Sequence, residues 1–372
     1  MTFNRGIAAT GPFPRTAATS TRNRDAAGAT GILIWLWVVA ACIFLMVLVG
    51  GATRLTESGL SITEWEPLFG AIPPLSAAAW EAKFEAYRQI PQFALHPDMT
   101  LSEFRAIFFW EWSHRLIGRV LGLLIALPLA FFWITGRLTG GLKLRLVGLL
   151  ALIGIQGAVG WWMVKSGLAD RTEVSQYRLA THLLLATFTL GYVIWLAQGL
   201  RSRPKSEQVP SRLTAWASGL LVLVFCQIGL GALVAGLRAG LIYNTWPTMG
   251  GNLVPPSAEL WAKSPAWVNL FENLTTVQFQ HRLVAYALLA LAIVHAVDTW
   301  RTAAGTAASR RAIALASLVA CQAAIGITAL LLVVPLDVAL AHQGFAMVVF
   351  AMAVVHRRAL SQPPAASRLA SA

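Results

Sequence analysis

Eight apolar runs punctuate this chain, and each is long enough to cross the ~30 Å hydrocarbon core of a bilayer, which takes about 20 residues of helix. They cover 31–51, 106–134, 144–164, 179–200, 213–236, 277–300, 312–335 and 338–356. A spanning segment has to satisfy its own backbone hydrogen bonds, and runs this long and this continuously apolar fit helices, not barrel strands. Composition agrees: 57% of the residues are hydrophobic and 12% are charged, which excludes an ordinary soluble domain. The expectation is an all-α integral membrane protein.

The cationic residues set the expected topology. Arg5, Arg15, Arg22 and Arg24 precede the first span, Arg137 and Lys143 lie between spans two and three, and Arg201, Arg203 and Lys205 follow span four. Arg301, Arg310 and Arg311 follow span six, and Arg357, Arg358 and Arg368 follow span eight. By the positive-inside rule these segments, and both termini, face the cytoplasm. The net charge of +13 is spread over alternate loops, not gathered into a stripe, so topology accounts for it and no nucleic-acid partner is expected. The first 30 residues are basic enough to imitate a transit peptide, but Pro12, Pro14 and several glycines spoil an amphipathic helix; a disordered tail is expected there. Cys42, Cys226 and Cys321 all fall within spans, with no partner at ligand-like spacing, and read as packing residues.

The chain also repeats itself. Glu111-Trp112-Ser113-His114-Arg115 in span two corresponds to Gln278-Phe279-Gln280-His281-Arg282 in span six. Gly59-Leu60 followed by Trp65 matches Gly240-Leu241 followed by Trp246, Gln156 with Gly160 matches Gln322 with Gly326, and the residues leading to His182 match those leading to His342. The expected organisation is a tail (1–30), a four-helix half (31–200), a linker (201–212), a second four-helix half (213–357) and a tail (358–372), the halves being pseudo-symmetric bundles related by an axis along the membrane normal.

Helix geometry gives the four histidines a meaning. At 1.5 Å per residue His114 lies roughly 12 Å below the outer end of its span, and His182, His281 and His342 sit a few residues into spans that also start outside. A haem held in a four-helix bundle takes one imidazole from each of two helices at matching depth, so His114 with His182, and His281 with His342, form two candidate axial pairs. A single intramembrane histidine could equally be a buried hydrogen-bonding or proton-relay group; four at repeated positions argue for ligands. His96, His295 and His356 read as interfacial or structural. Glu111 stands one helical turn before His114 where the other half has Gln278, and a carboxylate at that depth costs about 2.5–3.5 kcal/mol, so it either reacts or pairs with Arg115 or Arg119. Arg115 and Arg282 offer guanidinium forks to haem propionates, or snorkel outward.

Taken together, Gly51-Ala52-Thr53-Arg54-Leu55-Thr56 with Ser58-Gly59-Leu60-Ser61, the Glu-x-x-His-Arg of span two, Gln156-Gly157 with Gly160-Trp161-Trp162-Met163-Val164-Lys165-Ser166-Gly167-Leu168, Asn244-Thr245-Trp246-Pro247 and Gln278-x-x-His281-Arg282 resemble the heme A synthase family, of the long proteobacterial and mitochondrial type. The resemblance covers the chain from first span to last. It implies oxidation of the C8 methyl of heme O to a formyl group, giving heme A for terminal cytochrome oxidases, with Glu111 catalytic, His114 and His182 ligands of the substrate haem, and His281 and His342 ligands of a resident heme b. It also implies the bacterial cytoplasmic membrane (the mitochondrial inner membrane being the alternative), haem sites toward its outer face, a membrane electron donor, heme O synthase and oxidase assembly factors as neighbours, and a homo-oligomer. Some bacterial members carry paired cysteines in the outer loops, which this chain lacks. The competing readings are a quinone-linked or non-catalytic bis-histidine dihaem cytochrome and, without pigment, a proton-coupled transporter.

Overall fold

The computed structural model describes residues 16–66, 69–138, 140–168, 171–200 and 209–360. Its helices in chain order are α1 (Thr16–Leu55), α2 (Ala77–Arg88), α3 (Leu101–Ile134), α4 (Gly140–Lys165), α5 (Gln176–Leu200), α6 (Ser211–Gly236), α7 (Ser257–Leu260), α8 (Asn269–Glu272), α9 (Leu274–Thr302), α10 (Ala307–Leu331) and α11 (Leu336–Leu360). Eight of them are long and apolar enough to cross a membrane: α1 from Thr30 onward, α3, α4, α5, α6, α9, α10 and α11. No strand occurs among the described residues. The chain is a multi-pass, all-helical membrane protein.

Several boundaries differ from the apolar runs for local reasons. Helix α3 begins at Leu101 because Thr100 and Glu103 form a capping box: the Thr100 side chain accepts from the Glu103 N–H, and the Glu103 carboxylate accepts from the Thr100 N–H at 2.8 Å. Asn273 and Thr306 cap α9 and α10 more simply, their side-chain oxygens accepting from the N–H groups of Thr276 and Ser309. Span seven was expected to run to Pro335, but α10 stops at Leu331, followed by Val333 and Val334 with φ of 62° and 58°; the Asn244 side-chain amide donates to the Leu330 carbonyl at 2.9 Å and caps that end. The expected disordered tail is corrected in part. Residues 1–15 lie outside the described residues, but 16–30 are the first turns of α1, an alanine-rich stretch added to an already nucleated helix at one hydrogen bond per residue. Linker residues 201–208 and tail residues 361–372 lie outside the described residues too, while α6 starts at Ser211 and α11 continues through Arg358 to Leu360.

Helix α1 packs on α3 and α5, and α4 packs on α3 and α5, so these four close a cycle. A second cycle runs α6, α9, α10, α11 and back to α6. The cycles meet where α1 and α5 touch α11, and α5 touches α6. The apolar core lies along this seam: Leu36, Val39, Ile43 and Val47 of α1, Val193 and Ile194 of α5, Val224 of α6, and Met347, Phe350 and Val354 of α11 are all buried. Small residues let the backbones approach, as bilayer packing requires; a methyl on Gly344 of α11 would stand 2.7 Å from Leu48 of α1. Beside it the Gln343 amide donates to the Val47 carbonyl at 2.7 Å.

The long segment after α1 is a folded cap. Helix α2 lays Trp80, Phe84 and Tyr87 against Phe104 and Phe108 of α3, with Phe84 stacked on Phe104 at 5.0 Å between ring centroids. Burial first, then the carboxylates of Glu57 and Glu111, push the Tyr87 phenol up to about 12. At the rim Arg238, which follows α6, reaches Glu57 (2.6 Å) and Glu173 (2.5 Å), and Arg54 meets Glu173 at 3.0 Å. This charge cluster ties the ends of α1 and α6 to the loop before α5, and so one cycle to the other.

Candidate functional site

The four histidines occupy one repeated arrangement. Each lies on the second helix of an antiparallel pair, with the edge of its ring against a glycine of the first. A methyl group added at Gly50 would stand 2.9 Å from His114 Cε1, at Gly160 3.0 Å from His182 Cε1, at Gly231 3.3 Å from His281 Cε1, and at Gly326 2.6 Å from His342 Cε1. Glycine is required at these places because the imidazole fills the volume of a Cβ. Four residues before three of these glycines, one turn along the same face, stands a glutamine. Gln156 Nε2 donates to the His182 carbonyl at 3.1 Å, and Gln227 and Gln322 donate to the carbonyls of His281 and His342 at 2.9 Å; each amide nitrogen also lies 3.1 Å from its histidine's Nδ1. The fourth position, ahead of Gly50, is Met46. The Nδ1 of His114 is buried and has no hydrogen-bond partner.

The histidines come together in twos. His114 lies within electrostatic reach of His182, and His281 within reach of His342. Among the described residues no three His, Cys, Asp or Glu side chains gather as a metal-ligand set. An ion bound between two imidazoles would therefore lack protein ligands, whereas a macrocycle bringing four nitrogens of its own needs only those two. The donor set and the glycine-backed rings fit haem, and the amides supply the outer support that orients an imidazole ligand.

Above each first histidine an arginine clamps the loop that follows the preceding span. Arg115 donates to the carbonyls of Ile62 (2.8 Å) and Glu64 (2.9 Å), and Arg282 donates to those of Tyr243 (2.8 Å) and Thr245 (2.9 Å), positions that correspond at the same spacing as Trp65 and Trp246. The loops therefore enter the two sites along matching paths. The guanidiniums expected to face propionates are mostly occupied by these clamps, but Arg282 Nε is buried with no partner. The equivalent Arg115 Nε donates to Glu111 at 3.0 Å.

Glu111 is 3% exposed and fully engaged. Its Oε1 accepts from Arg115 Nε and Nη2 (2.6 Å), and its Oε2 accepts from the Ser61 hydroxyl (2.9 Å) and the Ile62 N–H (2.8 Å). The pairing with Arg115 that spacing allowed is present, and Ser61 adds a hydroxyl that no sequence argument singled out. In the other half Gln278 donates to the Tyr243 carbonyl at 3.1 Å, and the position matching Ser61 is Ile242. Sequence reasoning also passed over Gln227 with Gly231. The Gln-x-x-x-Gly spacing, already noted at Gln156 and Gln322, would have found that copy and exposed Met46 as the departure. His295 and His356, expected to be interfacial or structural, are both fully buried between α9 and α11 and share an Nε2–Nε2 hydrogen bond of 2.8 Å. His96 sits in the outer loop, 3.1 Å from Glu57.

An eight-span helical membrane protein whose buried polar groups converge on paired, glycine-backed imidazoles belongs to the class of membrane proteins built around intramembrane histidine pairs. Comparison makes the class particular. Residues 33–354 match the COX15-CtaA family, described as cytochrome oxidase assembly protein, and the chain belongs to that family. It is 58% identical over 339 residues to a protein of Beijerinckia indica named heme A synthase, covering 90% of this chain and 94% of that one. Proteins of the same name from Allorhizobium ampelinum (51% over 348 residues, 93% and 94% covered) and Brucella abortus (54% over 328 residues, 87% and 90% covered) are similar along the same stretch.

Proposed function

We propose that this chain is a heme A synthase, an oxidoreductase that converts the C8 methyl of heme O to a formyl group for terminal cytochrome oxidases. One observation carries the reading: two helix cycles set imidazole pairs in matching surroundings, but only one of them places a buried carboxylate a turn before its first histidine. The name shared by the similar proteins supports it. His114 and His182 take the substrate heme O, and His281 and His342 take a resident heme b. The cycles α1, α3, α4, α5 and α6, α9, α10, α11 are the pseudo-symmetric halves, with both termini cytoplasmic and the histidines toward the outer face of a bacterial cytoplasmic membrane.

Heme b, when bound, supplies one-electron redox chemistry. The protein side chains supply position and a proton. The aromatic cap of α2 over α3 shields the outer end of the first site from water, which strengthens electrostatics inside it. The Arg115 and Arg282 clamps fix the loops bordering each site, and Arg282 Nε–H is the donor free to meet a propionate. Glu111 holds or moves a proton at Oε2. Its partner there, Ser61, is a hydroxyl, so a protonated Glu111 donates to Ser61 Oγ by a simple reversal of direction, while Arg115 and the Ile62 N–H keep the carboxyl in place. In the ionised state Glu111 faces charge developing at the oxidised carbon.

The test is the Glu111→Gln protein, purified from a host making heme O, with its pigments extracted and separated by chromatography. Retention of two haems per chain with heme O or its alcohol in place of heme A is the expected result. Heme A at the wild-type yield removes the assignment of Glu111, and heme b as the sole pigment of the unaltered protein replaces the synthase by a dihaem cytochrome.

A further inference from the structure

Of the four histidines, one is held differently, and the difference is local and complete. His182, His281 and His342 each receive a glutamine amide from the neighbouring helix, which donates to the carbonyl and rests 3.1 to 3.5 Å from both ring nitrogens. His114 has Met46 at the corresponding place. A thioether donates nothing and is a weak acceptor, so the buried Nδ1 of His114 is left without a partner. The residue facing Met46 has changed with it. One turn beyond His182, His281 and His342 stand Ala186, Ala285 and Ala346, whereas one turn beyond His114 stands Gly118, and a methyl placed there would lie 3.7 Å from the Met46 methyl. Methionine is unbranched and slides between rotamers readily. Met46 and Gly118 together exchange a polar tether and an alanine methyl for a thioether packed against a bare backbone one turn from the imidazole.

We infer that Met46 and Gly118 are positioning residues that make His114 the exchangeable ligand of the substrate haem, leaving His182 as the permanent one. This inference rests on the assignment of His114 and His182 to that haem. A glutamine amide that donates to the histidine's own carbonyl and rests against the ring restrains the direction of that ring. Its loss at a single ligand raises the fraction of time that ligand is detached, by about threefold to tenfold for a bond of ordinary net strength. The same pattern explains why the substitution occurs beside Glu111 and not in the other half: the site where a methyl group is altered is the site where a ligand has to yield, whereas an electron-relay site gains from two rigidly held ligands.

Carbon monoxide is the probe, because it binds reduced haem only when an axial ligand lets go. The full-length protein, carrying heme O and heme b, is reduced and mixed with carbon monoxide in stopped flow, and haem content and the low-spin spectrum are recorded beforehand. The wild-type protein is expected to bind one carbon monoxide per chain. Met46→Gln, and Met46→Gln combined with Gly118→Ala, should bind it about threefold to tenfold more slowly at unchanged haem content, while Met46→Leu, which also lacks a donor, should match the wild type. The converse variant, Gln227→Met, should add a second carbon monoxide site in the other half, and it keeps the question answerable if Met46→Gln does not fold. Full haem loading with no effect of Met46→Gln on the rate, or no gain in Gln227→Met, overturns the inference alone. Absence of a haem dependent on His114 and His182 overturns it together with the functional assignment on which it rests.

Discussion

The two helix cycles are built to one plan and differ at four points. Both hold their first histidine against a glycine, Gly50 or Gly231, and both follow it with an arginine that clamps the preceding loop at corresponding carbonyls. The second cycle places Gln278, Ile242, Gln227 and Ala285 where the first places Glu111, Ser61, Met46 and Gly118. Neutral amides that keep one arrangement have given way, in the first cycle, to an ionisable acid with a reversible hydroxyl partner and to an imidazole without a tether. On the proposed assignment, chemistry and relay are separated by a few side chains around the first histidines, on a common backbone.

The harshest way to break the comparison is to remove ligands one at a time. His182→Ala and His342→Ala should each cost one haem per chain, and chromatography of extracted pigments should show heme O and heme A lost in the first, heme b in the second. Next in size is equalising the acids. Ser61→Ile, which gives the first cycle the apolar residue of the second, removes one of four hydrogen bonds on Glu111 and its proton partner; conversion of heme O should fall on the order of 10²-fold, the usual worth of a general acid or base, with haem content retained. The reciprocal Gln278→Glu sets a carboxylate against the Tyr243 carbonyl, two acceptors face to face, and should lower stability by about 1–3 kcal/mol without creating a second site of methyl oxidation, as read by thermal unfolding and pigment analysis. The glycines give a finer gradient. Gly326→Ala should loosen heme b more than Gly231→Ala, since the added methyl would meet the imidazole at 2.6 Å in one case and 3.3 Å in the other, a difference visible in haem retention during dilution.

The smallest expected effect lies at the rim. Burial opposes ionisation of Glu57, but the His96 hydrogen bond and the Arg238 charge outweigh it and hold the carboxyl below the usual range. A depressed carboxylate contributes stability above its unfolded value and loses it as pH falls through the folded value. The tie between Arg238 and Glu57 should therefore be intact at neutral pH and released only on the acid side of ~4.5. Glu57→Gln should flatten that acid limb in thermal unfolding followed against pH, and because the pair is half-exposed the change should be slight.

Much of this was legible because the bilayer writes strongly on sequence. Eight apolar runs gave eight helices, and the recurrence of Glu-x-x-His-Arg as Gln-x-x-His-Arg singled out the histidines. What escaped notice depended on contacts between helices distant in sequence. Gln227 lies 54 residues from His281, and only its spacing to Gly231, shared with Gln156 and Gln322, marks it in the sequence. Ser61 is one serine among many in a loop, and only the return of that loop onto α3 gives it Glu111. The start of α3 at Leu101 was written in Thr100 and Glu103, a capping box overlooked in a polar stretch. The aromatic cap was not legible, because short amphipathic helices such as α2 take their stability from what they cover.

Glycine-backed imidazoles bear on the life of the protein before any pigment reaches it. The rings of His114, His182, His281 and His342 are confined by main chain from the adjoining helix, so their directions are dictated by polypeptide packing. On the proposed assignment, haem meets imidazoles whose directions the polypeptide has already narrowed.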